Sequence, residues 1–200
     1  MKYLNLVAFI GIAFVSLNCG SKENNRPETA FTKVDSLTEC YLSLQDSMLL
    51  SWNLMIHDDN QKIKAMHNLL HELMVSNPAK REELTAFEER LDQLERLRYT
   101  PKTMANNDVV EEYDFASNAL VSEIIVMAES QTEYSYNSTL QKLTDQIREA
   151  DQRMALYREE YDAIVVAYNT FLEKNRRYLH EIDANSSFEK RPLFQMVADE

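Results

Sequence analysis

The chain has 200 residues, 21 Lys+Arg against 33 Asp+Glu for a net charge of -12, and only two glycines, Gly11 and Gly20. That acidity excludes nucleic acid and anionic lipid headgroups as partners bound through clustered cations. The glycine-free stretch after residue 20 excludes a P-loop, a dinucleotide fingerprint and a nucleophile elbow, each of which needs backbone that only Gly allows.

The N-terminus reads as an address. Lys2 precedes an apolar run over residues 3–17, and Cys19 follows. The run is about fifteen residues, short of the ~20 that span a bilayer. This pattern predicts a lipoprotein signal peptide over 1–18, with Cys19 acylated to anchor the protein to a membrane. Ser16, Leu17 and Asn18 make its lipobox loose, and an uncleaved signal anchor is the alternative. Both place the rest of the chain in the cell envelope. Gly20 stands where Asp would retain a lipoprotein at the inner membrane, so the outer membrane, periplasmic or surface face, is favoured. Residues 19–31 are polar, carry Pro27 and read as a flexible tether. Cleavage leaves Cys40 as the sole thiol. It is expected to be a buried small hydrophobe, with an intermolecular bridge as the other reading.

Four helices follow. Ser36 and Glu39 have capping-box spacing and start the first, which runs to about Val75. Asn77-Pro78 ends it and opens the second, which stops near Tyr99 before Pro101. Asp108 and Glu111 start the third, to about Gln131. Ser138 and Gln141 start the fourth, to about Ile182. In the fourth, Leu140, Leu143, Ile147, Ala150, Met154, Tyr157, Tyr161, Ile164, Tyr168, Phe171, Asn175, Tyr178 and Ile182 alternate three and four apart. That repeat predicts a long left-handed packing seam. The first helix keeps the same repeat except for a stutter through Trp52 and Ile56.

Short connections make neighbouring helices antiparallel. The expected fold is an all-α, up-down-up-down four-helix bundle over 32–182. Its first and fourth helices, about 42 residues or roughly 60–65 Å each, outreach the middle pair. A two-helix stalk at the membrane end and a four-helix head beyond it follow. Residues 183–200 form a C-terminal tail that packs on the bundle or docks a partner.

Several pieces match one known pattern. Arg153, Ala155, Arg158 and Tyr161, then Val165, Ala167 and Tyr168-Asn169-Thr170-Phe171, resemble the closing helix of the LemA family. Phe188 with Pro192-Leu193-Phe194 resembles the aromatic tail that follows it there. Trp52 and Asn68-Leu69 fall at matching separations on the first helix. His67 and Asn175-Arg176 depart from that pattern. The resemblance covers about 37–194 and implies an antiparallel helical bundle at the bacterial envelope. It implies no particular biochemical activity.

The chemistry-bearing residues point away from catalysis. The residues three before His57, His67, His71 and His180 are Leu54, Lys64, Asn68 and Arg177, so no Glu-x-x-His di-iron pattern exists. HExxH is absent, because Glu72 follows His71, and the histidines read as surface or boundary residues. The carboxylate pairs Asp58-Asp59, Glu82-Glu83, Glu88-Glu89, Glu111-Glu112 and Glu159-Glu160 are expected mostly on solvent faces. No cofactor or metal is called for. Tyr157, Tyr161, Tyr168, Asn175 and Tyr178 hold core positions of the fourth helix, where they set register or line a polar groove for a peptide or helix. The expected function is a non-enzymatic, lipid-anchored interaction or scaffold module that contacts an envelope protein. Its candidate interaction surface is Tyr161, Tyr168, Asn169, Phe188 and Phe194. The alternative is a ligand-binding or hydrolytic protein with a polar cleft between helices.

Overall fold

The computed structural model describes residues 32–182, 184–185 and 188–194. The expected signal peptide, Cys19 and the expected tether lie outside the described residues. Four α-helices make up the fold, and among the described residues there is no strand: α1 (Lys33–Ser76), α2 (Arg81–Leu97), α3 (Asn107–Glu129) and α4 (Ser138–Ile182). The all-α reading holds. No helix among the described residues is long and apolar enough to cross a membrane.

The helix starts lie slightly earlier than the capping boxes suggest. Thr32 and Asp35, not Ser36 and Glu39, cap α1 reciprocally. Asn106 caps α3 by accepting from the Asp108 N–H. Asn137 caps α4 by accepting from the Thr139 and Leu140 N–H groups at 3.1 and 3.2 Å. Asx side chains just ahead of the helix reach the orphan N–H groups of the first turn and so displace the boxes. Asn77 caps nothing with its side chain, and Pro78 opens a 3-10 turn before α2 begins.

Contacts between helices set their directions. Lys33 meets Tyr178, Tyr41 meets Phe171, Trp52 meets Tyr161 and Asp58 meets Arg153, so α1 and α4 run in opposite directions. α2 runs back along α1 through His67–Asp92 and Arg98–Asn60. α3 pairs with α2 through Arg90–Glu123, and with α4 through Arg148–Glu129 and Arg158–Asp114. These contacts place α2 and α3 along the later part of α1 and the earlier part of α4. Residues before about Trp52 and after about Tyr161 therefore form a two-helix half.

The core of the four-helix part is apolar and tight. Met55, Met66, Leu69, Leu70, Leu91, Ile124, Leu140 and Ile147 are fully buried. Each such Leu contributes about 2–5 kcal/mol against truncation to Ala. The seam of α4 holds through Tyr161, and beyond it burial spreads to the next position although Tyr168 and Phe171 stay buried. Val165, Leu172 and Leu179 are buried where Ile164, Tyr178 and Ile182 are only half-buried, as is Asn175. An α-helix slips ~20° per heptad against a strict 3.5 repeat, so a seam this long takes an extra step of four. Cys40 corrects an expectation, since it is exposed. It falls in the two-helix half, where α4 covers only one side of α1.

Candidate functional site

The five residues singled out by sequence converge on one place, and the tail of the same chain occupies it. Asn169, on α4, grips the tail backbone from both sides. Its Nδ2 donates to the Arg191 carbonyl at 2.9 Å, and its Oδ1 accepts from the Arg191 N–H at 2.9 Å. Two turns back, the Asp162 carboxylate accepts from the Phe194 N–H at 2.8 Å. Lys190 forms an ion pair with Glu173. The tail enters with Phe188 at φ 46°, a left-handed turn that a non-Gly residue rarely adopts. The packing of its ring against Tyr41 and His180 holds that turn in place.

Phe194 ends in an aromatic box. Its ring stacks on Trp52 at 6.2 Å and meets the edges of Tyr99 and Tyr161 at 5.4 and 5.6 Å. The Arg158 guanidinium lies 4.9 Å from the same ring. These partners come from α1, the α2–α3 connection and α4. Phe194 therefore sits where the two-helix half meets the four-helix part. Tyr161 and Tyr168 are buried, and Phe188 and Phe194 are half-buried. With the tail in place, Tyr161 and Tyr168 form the floor of a filled seat and are not open surface.

Beneath the box lies a feature that sequence reasoning placed on a solvent face. Asp58 and Asp59 are buried, and so is Lys62 one turn on. Asp59 accepts from the Tyr113 hydroxyl at 2.6 Å and pairs with Arg98 at 3.0 Å and Lys62 at 3.4 Å. Lys62 also donates to Ser117 at 3.0 Å and to Asp151 at 3.3 Å. Arg153 forks onto Asp58, and Arg158 forks onto Asp114 while also donating to Tyr99. Four carboxylates thus meet four cations, and the exposed Glu149 adds a fifth carboxylate at the rim, 3.8 Å from Arg153. The stutter around Trp52 and Ile56 was its one trace in the sequence. A shift of the apolar repeat turned the following polar residues inward.

Burial and neighbours shift the titration of these groups. Burial pushes the Tyr113 hydroxyl far above its usual range, and the Asp59 carboxylate beside it adds to the effect. Burial alone would lower the Arg158 guanidinium, but the Asp114 carboxylate and Tyr99 outweigh it and hold the cation charged. Tyr168 is pushed up to about 12, first by burial and then by Tyr41. An unfolded Tyr titrates near 10, so between about pH 10 and 12 the unfolded chain loses protons that native Tyr168 keeps. Stability therefore holds below pH 10 and falls as pH rises through that window. Denaturant midpoints from pH 8 to 12 should show this loss, and Tyr168→Phe should make it shallower.

A cleft of about 160 Å³ between α3 and α4 opens onto Lys62, Tyr113, Asp114 and Asp151. Its charges neutralise one another, which leaves none for an ionic ligand. Among the described residues no group of three or more His, Cys, Asp or Glu is placed to hold a metal. The histidines lie at the surface or boundary. No family model, curated protein or solved structure matches this chain.

Proposed function

We propose that this protein is a LemA-type, lipid-anchored helical bundle of the bacterial envelope, and that it works by binding proteins rather than by catalysis. The seat now filled by the tail is its recognition surface, and the ligand is an extended segment carrying an aromatic residue after a proline. The observation that carries this reading is the hold on the tail backbone. Asn169 and Asp162 bond main-chain groups that any extended segment offers, while the box around Phe194 selects an aromatic side chain. Main-chain bonds for affinity with a pocket for specificity is the usual division of labour in peptide recognition. Trp52, Arg158, Tyr161, Asn169 and Phe194, which carry the LemA resemblance, gather at this seat from distant parts of the chain. That convergence supports the family reading. The envelope location rests on residues 1–18 and Cys19. The alternative is a ligand-binding or hydrolytic protein with a polar cleft between helices, for which there are clefts of about 160 Å³ between α3 and α4 and about 440 Å³ between α1 and α4.

Trp52 is the single tryptophan and stacks on Phe194, so its fluorescence reports on the seat. A chain ending at residue 187 should keep its helices and bind a synthetic peptide of residues 188–194 saturably. Asn169→Ala should weaken that binding about tenfold, the effect of losing two hydrogen bonds of ordinary net strength. The full chain, its seat occupied, should respond far less. A folded, truncated chain that ignores the peptide would overturn the reading. So would loss of the fold on truncation, since the tail would then be core.

A further inference from the structure

The outward face of α1 changes character along its length. In the two-helix half it carries Leu42, Leu49, Leu50 and Leu54, exposed by 51, 60, 62 and 43%. Farther along, the same face carries Asn60, Gln61, Lys64 and Asn68, of which Asn60, Gln61, Lys64 and Asn68 are all exposed. Between residues 41 and 57 the only Asp, Glu, Lys or Arg is Asp46. Exposed leucines this close together on one helix face are normally covered. Here α4 and the tail pack on one side through Tyr41, Met48 and Trp52, while Leu42, Leu50 and Leu54 stay exposed and Leu49 also borders a cavity with Trp52, Tyr161 and Arg191.

Two features decide what covers them. No Lys or Arg lies between Lys33 and Lys62. A helix lying on a lipid surface flanks its apolar face with such cations, so a membrane is a poor fit. The patch is also complementary to itself. Asp46 and His57 are both exposed on this face, toward opposite ends of the leucines. Two parallel copies would set Asp46 against Asp46. Two antiparallel copies set each Asp46 against His57 of the other, with Leu49, Leu50 and Leu54 of both between the pairs. That is the form of an isologous two-fold contact. We propose that the leucine face of α1 is a homodimer interface in which two copies pack α1 against α1, antiparallel. Of its leucines only Leu49 borders the tail seat; Leu50 does not line that cavity.

The test is the mass of the full chain in detergent, followed by sedimentation over a range of concentrations. A monomer–dimer equilibrium is expected. Leu49→Glu and Leu50→Glu are exposed changes that leave the helices intact, and each should raise the dissociation constant about tenfold or more. Asp46→Lys and His57→Glu should each weaken the dimer, and the two together should restore it. A monomer at every concentration overturns the proposal. An association that ignores Leu49→Glu and Leu50→Glu also overturns it, and assigns the contact to another segment, such as residues 3–17. A double variant that fails to recover rejects the antiparallel arrangement. Peptide binding at the tail seat is read separately, so either proposal can fail alone.

Discussion

Asp59→Ala should be the most destabilising single change among the polar residues, at about 3–5 kcal/mol in denaturant unfolding. The carboxylate is 2% exposed and is the common partner of Tyr113, Arg98 and Lys62. Its removal leaves Lys62 buried with Asp151 as its remaining anion, and takes from the Tyr113 hydroxyl its acceptor. A buried cation without its partner costs more than the pair contributes, because the desolvation of both ions is already sunk. Replacing Asp59, Lys62 and Tyr113 together by Leu, Met and Phe should therefore recover most of the loss. If the triple variant stayed as unstable as Asp59→Ala, the cluster would be contributing net stability and not mainly fixing the register of α1 against α3.

Tyr161→Ala should cost about 3–5 kcal/mol, the usual range for an aromatic side chain removed from a core. Its ring is 3% exposed and touches both Trp52 and Phe194. The effect should reach the tail. With one wall of the box gone, Phe194 loses contact area, and the environment of Trp52 should become more solvent-like. Tyr161→Phe separates ring from hydroxyl. It should lie within about 1 kcal/mol of the parent, since among the described residues no hydrogen bond of that hydroxyl accompanies the ring contacts. Burial pushes the hydroxyl up in pKa, which fits a group held for its ring. A large loss in Tyr161→Phe would mean that the hydroxyl has a structural partner. A Trp52 signal unchanged in Tyr161→Ala would mean that the tail is held by Asn169 and Asp162 alone.

Much of the fold is legible in the residues. Helix number, helix ends to within a few positions and the unequal lengths follow from apolar spacing, from Pro78 and Pro101, and from the lack of Gly. These are local signals, read along one strand of sequence at the period of the helix. The apolar members of the core, such as Met66, Leu70, Leu91, Leu120 and Ile147, follow for the same reason. So does the cluster of Tyr161, Tyr168, Asn169, Phe188 and Phe194 as a group worth attention.

Tertiary structure alone decided the rest. Asp58, Asp59 and Lys62 look like a solvated run, because burial of a charge depends on counter-charges from Arg98, Asp151 and Arg153 and on the Tyr113 hydroxyl, up to 95 residues away. Sequence spacing on α1 holds no record of them. Cys40 looks like a core residue and is exposed, because only one helix faces that half of α1. The tail's aromatics favour folding back onto the bundle over docking elsewhere, but its sequence does not say where it lands. Its place is set by two backbone grips and an aromatic box that exist only once α1, the α2–α3 connection and α4 have come together. Periodicity determines which face of a helix is apolar. Which charges and rings meet across helices is a matter of long-range register, and that is fixed only in the assembled bundle.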